Sequence, residues 1–113
     1  MSKRDDRVSV RQMLDHAREA VAMVRDRSRH DLGTDRLLNL SLTRLLEIIG
    51  EAASRVSEGF RQAHAEVAWA EIIGLRNRLI HGYDVVDLDI LWEIVQRDLP
   101  TLVLALETIL KDE

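Results

Sequence analysis

With 113 residues and a formal net charge of −4, the chain is long enough for one modest core and too acidic to coat itself indiscriminately with nucleic acid. One proline and five glycines leave too little punctuation for a many-stranded β fold, and the absence of cysteine excludes a disulfide framework and thiolate metal ligation. Hydrophobic residues make up 46%, and Leu, Ala, Glu and Arg dominate, so the expectation is an all-α fold forming a single domain over residues 1–113.

Charge is uneven along the chain. Residues 1–60 carry eleven basic and ten acidic side chains, whereas residues 61–113 carry five and ten. Any RNA contact is therefore expected to be local, through a concentrated pocket. Fourteen of the sixteen basic residues are arginine, a bias that a GC-rich genome explains more simply than phosphate recognition does. The start, MSKRDDRVSV, has no apolar stretch of signal-peptide length, and no apolar run reaches the roughly 20 residues that span a bilayer. A cytoplasmic protein with no membrane contact is the expectation.

The first helix is predicted from about Ser9, as N-cap, to Arg29, with Val10, Met13, Leu14, Ala17, Val21 and Val24 at 3-and-4 spacing. Residues 30–34, HDLGT, are expected to break it. The second helix is predicted from Asp35 to Gly59, with Leu38, Leu42, Leu45, Ile49, Ala52 and Val56 as its core stripe and Leu37, Leu46 and Ile48 widening it. So broad a stripe needs more than one neighbour, which points to a bundle or a dimer interface. Glu47 and Glu51 share one face of this helix and are expected to form an acidic edge or to pair with arginine.

FRQAHAEVA, residues 60–68, reads as a connector. A short third helix is predicted from Trp69 to His81, capped by Gly82 in the left-handed conformation. Asp84, Val85 and Val86 form a brief link, and Asp87 is the expected N-cap of a last helix from Leu88 to Lys111 that Pro100 should kink or restart. Trp69 and Trp92 are expected as core or interface anchors. His16, His30 and His64 are scattered, without partners that suggest a site.

The segment RNRLIHGYD, residues 76–84, concentrates polar chemistry. Asn77 and His81 are four apart and would share a face of the third helix, while Arg76 lies about 140° from His81 around it. Two copies of such a helix end, related by a two-fold axis, would bring the groups into one cleft. Such a set suits RNA cleavage that needs neither metal nor cofactor. Histidine moves the proton of the attacking 2′-hydroxyl or of the leaving 5′-oxygen, arginine clamps the phosphate, and asparagine orients by hydrogen bonding. Spacing alone does not separate this from a histidine favoured by the helix dipole beside ordinary surface arginines.

GLRNRLIHGYDVVDLDILWEIVQRDLP resembles the signature of HepT-like toxins, minimal members of the HEPN superfamily, in which Arg, four residues, His, one residue and Tyr recur; here these are Arg76, His81 and Tyr83. LEIIGEAASRVSE at 46–58 and HAEVAWAEIIG resemble the family's second-helix and connector segments, although Ala65 and Ala68 stand where the family often has proline. The resemblance covers about residues 10–110. It implies a HEPN-type bundle of four to five helices that forms a two-fold homodimer, with Arg76 and His81 of each chain catalytic in a shared cleft and Asn77 and Arg78 orienting the substrate. It further implies a ribonuclease toxin whose partner is an MNT-type nucleotidyltransferase antitoxin that attaches AMP to Tyr83. From a different class, a catalytically idle dimeric scaffold or nucleotide-binding module serving that nucleotidyltransferase remains an alternative.

Overall fold

A computed structural model describes residues 3–83 and 85–111. Its first helix, α1, is Lys3–Met23 and begins six residues before the expected Ser9 cap. Asp5 and Asp6 occupy its first turn, where carboxylates complement the helix dipole. Asp6 is buried and accepts hydrogen bonds from the backbone N–H (2.8 Å) and hydroxyl (2.7 Å) of Ser57. That tertiary anchor extends the helix, so Ser9 is a buried interior residue and no cap.

The helix also stops six residues earlier than expected. The stretch expected only to break it forms a short helix instead, α2, Arg29–Thr34. Asp31 accepts from the Ser28 backbone N–H at 2.7 Å, satisfying a donor at the start of α2. The Arg27 guanidinium then reaches Asp35 at 2.7 Å and Asp31 at 3.4 Å. The hydrogen bond from Arg27, followed by that from the Leu38 N–H, holds the Asp35 carboxyl below its ordinary range; for Asp31 the Ser28 N–H is the larger cause.

Helix α3, Arg36–Ser54, has Asp35 as N-cap, accepting from the Leu38 N–H at 3.1 Å. Leu38, Leu42, Leu45, Leu46, Ile49, Ala52 and Ala53 are buried, the broad face the pattern requires. Leu37 is an exception to the predicted stripe. It is 77% exposed, because it shares a face with exposed Ser41 and Arg44 rather than with Leu38 and Leu42. The helix ends before Gly59. Ser57 caps a separate helix, α4, Glu58–Ala63, and Arg61 donates to the carbonyls of Val56 (2.9 Å) and Ser54 (3.2 Å) near the end of α3. The connector expected at 60–68 is thus helical in its first part, and Trp69 closes it by donating its indole N–H to the His64 carbonyl at 3.0 Å.

Beyond the hairpin described below, Asp87 is the N-cap of α7, Leu88–Glu93, as predicted, accepting from the N–H groups of Asp89 and Ile90. A π-helical turn, Ile94–Asp98, leads into α8, Leu99–Lys111. Pro100 has no N–H to offer the carbonyl four residues back, and the Leu99 N–H bonds instead to Ile94, five back. The predicted break is therefore a widened turn inside one continuous run.

Helix α1 packs on both α3 and α8, and one core runs from Val10 through Leu42, Leu46 and Ile49 to Leu99 and Leu106. Trp69 is buried and Trp92 is half-buried against this core, as their anchoring role requires. Among the described residues the architecture is all-α apart from one two-residue strand pair, and no helix is long and apolar enough to cross a membrane.

Candidate active site

The segment predicted as one helix from Trp69 to His81 is instead three pieces. Helix α5 is Trp69–Ile73, helix α6 is Leu75–Leu79, and Ile80–His81 forms strand β1, paired antiparallel with β2, Val85–Val86. The β-branched residues Ile80, Val85 and Val86 favour extended backbone, and Gly82 and Tyr83 turn the chain with φ of 43° and 52°. The Val85 N–H closes the turn on the Gly82 carbonyl at 3.1 Å, and the Asp87 N–H reaches the Leu79 carbonyl at 2.9 Å. Gly82 thus takes the expected left-handed conformation, but as a hairpin turn rather than a helix cap. Asp84 of the expected link lies outside the described residues.

This rearranges the site. Asn77 remains on α6 while His81 lies on a strand, so the helical face they were expected to share does not exist. His81 is exposed. Arg76 and Asn77 line a cavity of about 260 Å³ together with Leu46, Glu47, Gly50, Glu51, Ser54 and Ile73. The Arg76 Nε donates to Glu47 Oε2 at 3.2 Å, across 29 positions of sequence. Arg78 points elsewhere: its guanidinium pairs with Asp98 at 2.8 Å and lines a different depression. Arg76 and Asn77 are therefore brought together, whereas His81 and Arg78 are placed apart from that cavity within one chain.

Gly50 makes the cavity possible. A Cβ at this position would sit 3.1 Å from the Ile72 carbonyl oxygen and 3.4 Å from that of Ile73, so α3 can approach the α5–α6 junction only with hydrogen there. Glu47, one turn before Gly50, and Glu51, next to it, are thereby set beside the arginine-bearing helix. Glu47 pairs with Arg76 and Glu51 with Arg44 at 3.6 Å, the arginine partners their spacing suggested. Sequence reading did not place Glu47, Glu51 or Ser54 in the site, since nothing local joins residue 47 to residue 76. The available signal was Gly50 itself, a lone glycine in a helix interior, which marks close approach of another backbone. No group of three or more potential metal-ligating residues occurs among the described residues.

The family described as Ribonuclease HepT-like matches residues 13–109. The chain belongs to that family. Similar to this HepT-like chain is "Putative RNase MJ1380" of Methanocaldococcus jannaschii, 36% identical over 100 residues, which are 88% of this chain and 92% of that protein. "Probable ribonuclease HepT" of Thermococcus cleftensis is 34% identical over 93 residues, 79% of this chain and 84% of its own. "Putative RNase TTE0752" of Caldanaerobacter subterraneus subsp. tengcongensis is 38% identical over 93 residues, covering 82% and 83%. No solved structure matches. The HepT-like match includes the cavity, the hairpin and Tyr83, the last fully exposed at the hairpin turn.

Proposed function

We propose that this HepT-like chain is a metal-independent endoribonuclease, the toxin of a toxin–antitoxin pair, acting in the cytoplasm as a single domain over residues 1–113 and as a two-fold homodimer. The observation that carries the reading is the division of labour in residues 76–81: a guanidinium lining a cavity and an exposed imidazole are held by adjoining but different elements. A second copy, placed so that the hairpins meet the cavities, supplies each cleft with arginine, asparagine and histidine. One His81 takes the proton of a 2′-hydroxyl as that oxygen attacks the adjacent phosphorus. The other gives a proton to the departing 5′-oxygen. Arg76 and Asn77 hold the phosphate and its developing charge, and Arg78, paired with Asp98 outside the cavity, orients the strand that flanks it.

Incubation of the purified protein with RNA in excess EDTA is the test. Products should carry 2′,3′-cyclic phosphate or its hydrolysed form, and sedimentation equilibrium should give about twice the 13.0 kDa chain mass. Cutting abolished by the chelator, or a monomer at all concentrations, overturns the mechanism.

The switch in this proposal is Tyr83. Its hydroxyl attacks the α-phosphorus of a nucleoside triphosphate held by an MNT-type nucleotidyltransferase, pyrophosphate leaves, the phenolic proton is lost to base, and AMP remains attached. Full exposure of the ring on a turn, instead of packing against the helix end, supports access by another enzyme. The bulky anionic adduct, two residues from His81, would then compete with RNA for the arginines. Co-expression with the neighbouring nucleotidyltransferase and intact-mass measurement should show one adenylyl adduct in the wild type and none in Tyr83→Phe, which should still cut RNA.

A further inference from the structure

The cavity between α3 and α6 has more polar groups than a phosphate clamp requires. We infer that it is a base pocket selective for guanine in single-stranded RNA, with Glu51 reading the Watson–Crick edge, an inference that rests on the ribonuclease reading above. Its volume, about 260 Å³, is at the small end of ligand sites and suits one base rather than a whole nucleotide. Leu46, Gly50 and Ile73 offer apolar surface for a base, and Glu47, Glu51, Ser54 and Asn77 supply polar groups. Arg76 lines the same cavity, so a base seated there has its own phosphate beside the guanidinium.

The hydrogen-bonding sense of the lining selects the base. Glu47 is committed to Arg76, and its side chain is only 26% exposed. The Glu51 side chain is 53% exposed, and its pairing with Arg44 is loose at 3.6 Å, so its two oxygens can serve as parallel acceptors. Guanine alone among the four bases presents two adjacent donors, N1–H and the N2 amine, on its Watson–Crick edge. Adenine and cytosine offer a donor next to a ring-nitrogen acceptor, which a carboxylate repels, and uracil offers one donor flanked by carbonyls. The Asn77 amide, which makes no hydrogen bond among the described residues, can donate to guanine O6. Single-stranded RNA exposes these edges, whereas a duplex hides them.

Binding of guanosine, adenosine, cytidine and uridine 3′-monophosphates, titrated by calorimetry or NMR, tests the pocket without requiring turnover. The guanosine compound should bind about tenfold or more tightly than the other three, the discrimination of one bidentate pair. Glu51→Gln replaces two acceptors with one acceptor and one donor. It should erase the guanine preference and move it toward adenine or cytosine, with the melting temperature unchanged because residue 51 is exposed. Binding of all four within about twofold, or a guanine preference that survives Glu51→Gln, overturns the base pocket. Guanine-selective binding by a protein that cuts no RNA would overturn the ribonuclease reading instead. In cleavage mapping of a random-sequence RNA, wild-type cuts should cluster next to guanines and lose that bias in Glu51→Gln.

Discussion

The α1–α3–α8 bundle and the segment from Gly74 to Asp87 are built on opposite principles. The bundle consists of long helices whose apolar residues recur every three or four positions and bury against one another, and no buried side-chain polar atom among the described residues lacks a partner. The segment consists of a five-residue helix, two two-residue strands and a turn with two consecutive positive-φ residues, and it exposes Arg76, Asn77, His81 and Tyr83. Tyr83 at φ 52° is uncommon for a non-glycine residue, a strained backbone sustained by the strand pairing on either side. Stability therefore resides in the first region, and the candidate chemistry sits on a short element anchored to it.

The largest effect that would break or sharpen this contrast is on rate. Arg76→Ala and His81→Ala should each lower RNA cleavage by on the order of 10²–10⁴ while leaving the thermal midpoint near wild type, since both side chains are exposed. A variant that unfolds, or that cuts normally, would contradict the division. The converse experiment is Leu42→Ala in α3. Its side chain is fully buried, so urea unfolding should show a loss of about 2–5 kcal/mol, and activity per folded molecule should be retained.

Gly50→Ala tests the seam between the regions. A methyl 3.1 Å from the Ile72 carbonyl must push α5 away, costing about 1–3 kcal/mol as overpacking does. It should also displace Arg76 from Glu47, so cleavage should fall by more than the lost folded fraction, measured by single-turnover kinetics. Gly82→Ala should cost roughly 1–2 kcal/mol in a thermal melt, because alanine resists the left-handed backbone at φ 43°.

The smallest effect belongs to the scaffold's cap. Asp35→Ala removes the α3 N-cap and a partner of Arg27 and should lower stability slightly at neutral pH. Because the folded carboxyl is held below its ordinary range, its contribution is fully present above the unfolded value and fades as pH falls through the lower folded one. Wild type and variant should therefore differ at pH 7 and converge in strong acid, by chemical denaturation at each pH.

Reading from residues alone was most accurate where a signal is local. The Asp87 cap, the α3 core face, the interruption ahead of Pro100 and the two tryptophan anchors all follow from spacing or from one side chain's chemistry. It failed where a distant group overrules local preference. Ser9 resembles a cap, but Asp6 docks on Ser57, 51 residues away, and extends the helix past it. The continuous third helix fails for a subtler reason. Ile80, Val85 and Val86 around a Gly-containing turn do carry a hairpin signal, but two strand residues are too few to outweigh the helical run before them until they pair.

What the sequence by itself determined is the all-α class, the principal core and the clustering of polar side chains at 76–83, because helical periodicity and residue type are properties of neighbours along the chain. Tertiary structure alone decided that His81 leaves the helix for a strand, that Arg78 turns to Asp98, and that Glu47, Glu51 and Arg76 close one cavity. Those outcomes depend on Gly50 admitting the α5–α6 backbone from more than 20 residues along the chain. Contacts of that separation form only when the core brings the helices together, and no periodicity encodes them.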